Sequence, residues 1–231
     1  TLFPYTTLFR SVAKYLGASA ATFTGSKKDN STVMGILNAN RNAFLQGLWQ
    51  TVILTVFAIV LASIWGILLG VMGVSQLPWI RAISTTIIYL FRGLPLMVLA
   101  FFIYIGLPGV IGTKIPAFTA GLLTLILNEG AYTAAFVRGG FEAVDHGQME
   151  AARSLGLPYS KSMRRVIMPQ GLKIMIPSFI NQFIITLKDT SILSAIGILE
   201  LTQTGSLIVS RNSQGFRVWA IVAVIYLIDR K

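Results

Sequence analysis

QMEAARSLGLPYSKSMRRVIMPQ, residues 148–170, is a basic, glycine-broken, helix-forming stretch in a chain that is otherwise dominated by apolar runs. Asp145 or His146-Gly147 can start a helix, residues 148–155 are good helix formers, and Gly156 followed by Pro158 makes a common C-terminal stop. Ser160 can cap a second helix running to Met168. The pattern predicts a helix, a tight glycine turn and a second helix lying at the membrane surface. Ala151 and Ala152 would let another backbone approach closely, and Glu150 offers a charge at the turn. Such an element can insert into a groove on a partner and pass its movement to the spans, whereas a plain connecting loop explains the arginines but not the joint spacing of Glu-Ala-Ala, Gly156 and Pro169.

Composition agrees that the surroundings are membrane. Hydrophobic residues make up 54% of the 231 and charged residues 12%, and the mean hydropathy is +0.72; a soluble domain would be about a quarter charged. The length has room for about five or six spans of roughly 20 residues in one bundle. With no cysteine and the single His146, disulfide, thiolate and Cys/His zinc chemistry are excluded, and neither a metal nor a cofactor is expected. The excess of Lys and Arg over Asp and Glu, 19 against 8, reads as cytoplasmic-loop bias rather than nucleic-acid binding.

Both ends are set apart. Residues 1–11, TLFPYTTLFRS, read as the in-frame translation of a common sequencing adapter, and residues 229–231 as the start of another that truncates the C-terminus. Without them the net charge is still about +9. Residues 12–43 are polar, without sustained apolar periodicity, and are expected to be a leader or linker at the surface. The membrane domain is expected over residues 44–228, with the loop at 145–169.

Residues 45–72 hold no charge, and at about 1.5 Å per residue reach roughly 42 Å, enough for one tilted span. A second run, residues 83–105, is interrupted at Phe91-Arg92-Gly93-Leu94-Pro95. Either Arg92 marks the cytoplasmic end of a span that starts at Leu94, or the helix is kinked and lines a cavity. Further spans are expected at residues 117–137 and 174–187, and a fifth from Trp219. Arg138, Arg153, Lys161, Arg164, Arg165 and Lys173 follow the third span and only Lys114 follows the second, which puts the 145–169 loop in the cytoplasm.

Taken together, four further strings resemble one family. Leu45-Gln46-Gly47-Leu48 leading to Thr51, then Phe91-Arg92-Gly93-Leu94-Pro95-Leu96, then Gly130-Ala131-Tyr132-Thr133-Ala134 with Arg138-Gly139-Gly140, then Leu187-Lys188-Asp189-Thr190-Ser191 with Gly197-Ile198-Leu199-Glu200-Leu201-Thr202, occur in that order. With the Glu150-Ala151-Ala152 loop, they resemble the permease subunits of ATP-binding-cassette importers for polar amino acids, the histidine/glutamine/arginine group. The resemblance implies an all-α integral membrane protein of about five transmembrane helices with a cytoplasmic coupling helix, the type I importer permease fold, in a bacterial inner membrane. It implies two permease subunits, identical or paralogous, two cytoplasmic ATPase subunits, an extracytoplasmic solute-binding protein and a polar L-amino acid such as glutamine or glutamate. Glu150, Ala151, Ala152, Gly156 and Pro169 would then contact the ATPase.

The family commonly carries an acidic residue after Ala-Tyr-x-Ala, where this chain has Ala135 and, upstream, Glu129. A charge in mid-span costs several kcal/mol unless compensated. Asn128 and Glu129 are therefore expected to face the translocation path, Glu129 meeting a substrate amino group or pairing with Arg92 or Arg138; a purely structural salt bridge is the alternative. Gln182 and Thr186 share a helical face, with Asn181 beside them, and either bind substrate or join helices. Lys188, Asp189 and Thr190 suit an outer gate or a helix cap. No G-x-x-x-x-G-K-[ST] occurs, so no catalytic ATP site is expected in this chain. An ion-gradient-driven secondary transporter is the rival from another class, kept open by Glu129 and the Arg92–Pro95 break; a membrane-embedded enzyme would need a catalytic set that His146 lacks.

Overall fold

The computed structural model describes residues 32–229, so the expectations for residues 1–11, for 12–31 and for the last two positions lie outside the described residues. Those described are almost entirely helical. A short α1, Val33–Ala39, is capped by Thr32, whose side chain accepts from Gly35 N. Ile36 of α1 is buried in a cluster with Phe44, Leu201, Ile208 and Val218. Part of the segment read as a polar leader is thus packed helix. Its apolar signal, Val33, Ile36 and Leu37, spans barely one turn and is too short to stand out.

The long α2, Arg41–Gly73, is apolar on every side, as a membrane span should be. Its two faces differ in size rather than polarity. Gly47, Thr51, Thr55, Ala58, Ala62, Gly66 and Gly70 form the buried stripe, while Val56, Phe57, Val60, Ile64 and Leu68 point outward. In lipid the apolar effect cannot drive helices together, so close backbone approach and dispersion must do it, which favours small residues at the contact. The partner is α5, Ala117–Glu142. A Cβ on Gly66 would lie 2.5 Å from Thr133 Cβ and 2.6 Å from Gly130 O, and one on Gly130 would lie 2.5 Å from Trp65 Cδ1.

Pro78 opens α3, Pro78–Gly93, at its first helical turn. Leu94 and Pro95 are extended, and α4, Leu96–Ile111, leaves at 100° to α3. The interruption at Arg92–Pro95 is therefore a bend between two helices, with Arg92 in the last turn of the first. Proline explains it: Pro95 has no N–H and drives Leu94 out of the helical region.

After α5 come α6, His146–Ser154, and a one-turn α7, Tyr159–Ser162, which runs through a π-helical turn at Met163–Ile167 into α8, Met168–Asp189. Two details differ from the sequence reading. Pro158, not Ser160, occupies the N-cap of α7, and the helix does not end near Met168 but continues to Asp189. A widened turn lets a helix absorb a proline whose ring would clash with the carbonyl four residues back. The π turns at Met163–Ile167 and Phe102–Gly106 sit just ahead of Pro169 and Pro108. A 3-10 segment Thr190–Ile196 and the left-handed Gly197 lead to α9, Leu201–Asn212, and α10, Gly215–Asp229.

By length and composition α2 and α5 can each cross a membrane alone. The α3/α4 pair and the run Tyr159–Ile196 with α9 each qualify as a broken span, and Gly215–Ile228 is a shorter apolar helix. Among the described residues these make two to four candidate spans and one shorter apolar helix, where the sequence expects about five spans.

Replacing Gly66 with Leu forces α2 and α5 apart and is expected to cost about 1–3 kcal/mol, lowering the melting temperature in detergent by several degrees. Ile64→Leu, two residues away on the lipid face, should leave it unchanged; both are read by thermal-shift chromatography of the purified protein.

Candidate functional site

The bend between α3 and α4 leaves a carbonyl without its helical partner. Phe91 O lies four residues before Pro95, which has no N–H to give it. Asn128 Nδ2, from α5, donates to that oxygen at 3.0 Å. The bend, α5 and α8 together border an open cavity of about 670 Å³ lined by Arg92, Asn128, Tyr132, Gln182, Asp189 and apolar neighbours including Pro95. The Arg92 guanidinium lies 5.0 Å over the Tyr132 ring centroid, a cation–π contact that holds a cation at the wall.

Glu129 is 1% exposed and sits behind this cavity, between α5, α8 and the small face of α2. Gln182 Nε2 donates to its Oε2. Thr186 Oγ1 is 3.1 Å from the same oxygen and 2.9 Å from Gln182 O, so one hydroxyl proton serves two acceptors. The shared face of Gln182 and Thr186 that their spacing predicts is the face that meets Glu129. The other carboxyl oxygen, Oε1, is fully buried and has no hydrogen-bond partner.

Neither expected ion pair of Glu129 is present. Arg138 lies nine residues along α5, half a turn out of phase, and at 2.8 Å pairs instead with Glu142 on its own face. Arg92 is held over Tyr132. Asn181 is exposed on another side of α8 and joins neither the cavity nor Glu129. Among the three gate candidates, Asp189 lines the Arg92 cavity, whereas Lys188 lines a separate, largely apolar cavity of about 420 Å³ with Phe183, Leu187 and Tyr226. Thr190 is buried and donates to Leu187 O at 2.7 Å, a helix-end bond. Consecutive residues on a helix point about 100° apart, which separates Lys188 from Asp189.

The loop below the bundle has the predicted helix start, with Asp145 Oδ1 accepting from Gly147 N at 2.6 Å. At its end Leu157 N reaches Ala152 O at 3.2 Å and Gly156 N reaches Arg153 O at 3.0 Å, with Gly156 at φ +81°. This is a Schellman stop, and it needs glycine for the left-handed position. Glu150 and Ala151 are exposed, but Ala152 is turned inward and packs within the chain, so it is not open to another backbone. Pro169 lies in the first turn of α8. Gln170 Nε2 donates to Gln148 Oε1 at 3.1 Å, tying α6 to the foot of α8. Leu155, at the turn, is 83% exposed, an apolar side chain at the surface that the sequence reading passed over.

A second buried carboxylate, Glu200, was also passed over as a structural group. Its oxygens cap α9, accepting from Thr202 N at 2.8 Å and Gln203 N at 2.6 Å, and Tyr226 Oη of α10 donates at 2.9 Å. Leu201 N beside it donates to Thr51 Oγ1 of α2 at 3.1 Å. Acid at the start of a helix pattern, Glu200 ahead of Leu-Thr-Gln, was the available signal.

Residues 58–229 match the family model described as "Binding-protein-dependent transport system inner membrane component". The chain is 33% identical over 195 residues to the probable glutamine ABC transporter permease protein GlnM of Bacillus subtilis (strain 168), covering 84% of this chain and 90% of that protein. It is 40% identical over 152 residues to the glutamine transport system permease protein GlnP of Escherichia coli (strain K12), covering 65% and 69%. Among solved structures, an amino acid ABC transporter crystallised with histidines matches with TM-score 0.81 at 37% identity, over 86% of this chain and 92% of that one. An inward-facing methionine transporter, MetNI, shares the fold with TM-score 0.68 at 20% identity, over 81% and 89%.

Glu200→Ala strips three donors of their acceptor, each worth about 1–3 kcal/mol when buried. Its expected effect is a large loss of thermal stability, with a greatly reduced yield of monodisperse protein, measured by size-exclusion chromatography and thermal shift.

Proposed function

This chain belongs to the family of binding-protein-dependent transport system inner membrane components and is an amino-acid ABC transporter permease, and we propose that it carries polar L-amino acids, glutamine or glutamate among them, across a bacterial inner membrane with energy from a separate ATPase. The observation that carries this reading is the helical run from α7 through α8, which joins the α6 loop to Gln182 and Asp189 at the cavity. A push on α6, tied to α8 by Gln148 and Gln170, is delivered to the cavity wall along one continuous helical run.

In this reading the 145–169 loop faces the cytoplasm, as its arginines and lysines require. Its Glu150, Ala151 and exposed Leu155 dock in a groove on the ATPase, while Gly156 and Pro169 fix its shape. ATP closing the two ATPases draws the α6 helices of two permease subunits together, and the cavity opens outward to take an amino acid from the solute-binding protein. The zwitterion suits the cavity walls: Arg92 for the α-carboxylate and Asp189 for the α-ammonium. Glu129 positions the wall through Gln182. The second permease subunit, a copy or a paralogue, covers a polar face of α3. Arg81, Thr85, Tyr89 and Arg92 recur along one side of that helix and are open or half-open in the single chain. Such residues are costly against lipid. Family membership disfavours the ion-gradient-driven carrier.

Glu150→Arg combined with Gly156→Asp should abolish copurification of the neighbouring ATPase while the permease stays folded; an ATPase that still copurifies would remove the coupling role. Separately, Glu129→Gln should reduce amino-acid uptake by about tenfold with assembly intact, the cost of about 1.4 kcal/mol in positioning. Uptake equal to wild type in reconstituted vesicles would show that the buried carboxyl is only structural.

A further inference from the structure

Three cavities share residues and run in a row along α3. Arg92, which lines the cavity at the bend, also lines a smaller one of about 190 Å³ with Thr85, Tyr89, Arg138 and Glu142. Thr85, Tyr89 and Arg138 in turn line a third, of about 490 Å³, which ends at Arg81 and Pro78 in the first turn of α3. Arg81, Thr85, Tyr89 and Arg92 share one face of this unbroken helix, so the row runs roughly 16 Å from the bend. Arg138 lies one turn before the end of α5, toward the loop at 145–169.

The charge changes along the row. At the bend one cation, Arg92, faces one anion, Asp189. In the middle cavity the anion is Glu142, whose Oε1 accepts from Arg138 Nε at 2.8 Å. The third cavity has two arginines, three hydroxyl groups and no carboxylate among the described residues that line it. Arg138 Nη1 is 3.5 Å from Thr85 Oγ1, and its Nη2 is uncommitted. The Arg81 side chain is exposed and makes no hydrogen bond or ion pair among the described residues. A cationic bias at this end of the bundle accounts for arginines in general, but not for two lining one carboxylate-free cavity that is joined to the bend. Guanidinium groups with free N–H edges match the paired oxygens of an oxyanion. Continuity with Arg92 favours a carboxylate, which on leaving Arg92 meets Arg138 next and Arg81 last, with Thr85 and Tyr89 between them.

We propose that the Arg81–Arg138 cavity is a second anion site, open to the cytoplasm, that receives the α-carboxylate of the amino acid after Arg92 releases it. The inference rests on the bend cavity being the amino-acid path and on the loop at 145–169 facing the cytoplasm. The ammonium group has no carboxylate beyond Glu142, so this site holds the ligand by one end and weakly. An amino acid abundant in the cytoplasm refills it and delays the next cycle.

The test uses permease–ATPase complexes in phosphatidylcholine vesicles, with ATP and unlabelled L-glutamine inside and the solute-binding protein with tritiated L-glutamine outside. Initial uptake should fall as internal glutamine rises. L-glutaminamide, whose α-carboxylate is replaced by a carboxamide, should inhibit at least tenfold less strongly. Arg81→Gln should raise the internal concentration for half-inhibition fivefold or more, and Arg81→Lys less than twofold; a role only in packing the subunits would lower uptake without moving that concentration. Uptake that internal glutamine does not slow, equal inhibition by the amide, or a half-inhibiting concentration unchanged in Arg81→Gln would overturn the site while leaving the bend cavity as the path. So would a half-inhibiting concentration that rises severalfold when phosphatidylglycerol is added to the vesicles, because lipid phosphate would then hold the site. No glutamine uptake by wild type would instead count against the proposed function and remove the inference with it.

Discussion

Gly66 and Gly130 face each other where α2 and α5 meet, and neither position has room for a Cβ. Lipid gives two apolar helices no reason to prefer each other, so their association depends on how closely the backbones can approach and how many atoms then touch. The stripe of Gly, Ala and Thr along α2 provides that approach over most of its length. Its consequence is local as well as global. Glu129 is the residue next to Gly130, and the contact that brings α2 to α5 shields this carboxyl behind Ala62 and Ser63 while α8 covers it with Gln182 and Thr186. Wider helix spacing would open the carboxyl to lipid.

The two fully buried carboxyl groups among the described residues, Glu129 and Glu200, show how environment separates a functional candidate from a structural one. Both oxygens of Glu200 are engaged by the first N–H groups of α9 and by Tyr226. That arrangement satisfies a helix end and fastens α9 to α10, with Thr51 of α2 completing the joint. Glu129 has one oxygen engaged by Gln182 and Thr186 and one without a hydrogen-bond donor, and its carboxyl interacts with that of Asp189. A half-satisfied buried group is a cost that packing alone does not explain. Its engaged oxygen, moreover, fixes a side chain that lines the large cavity.

Prolines shape the remainder. Pro95 ends α3 and frees Phe91 O, whose new donor, Asn128, then belongs to the cavity wall. Pro169 does the opposite. A π turn absorbs it, and the helix runs on from the loop beneath the bundle to Asp189. One proline bends the chain at the cavity and the other leaves a continuous helical run that leads to it, because in the first case the residue before proline is extended and in the second it stays helical.

The sequence by itself determined the class, the apolar units, the break at Arg92–Pro95, the glycine stop at Gly156 and the family, since these depend on local composition, on proline and glycine stereochemistry and on short ordered strings. It also put Gln182 and Thr186 on one face, because helical periodicity is local. Only the tertiary structure decided what that face meets. Glu129 turned from the expected arginines to an amide and a hydroxyl, since Arg138 lies on the opposite side of α5 and Arg92 is held by Tyr132. Lys188 and Asp189, neighbours in sequence, went to different cavities. Ala152 turned inward and Ile36 found a core that the sequence around it does not announce. Each of these is a contact between helices far apart in the chain, and the partner of a buried polar group is set by which backbones can approach closely enough to bring it there.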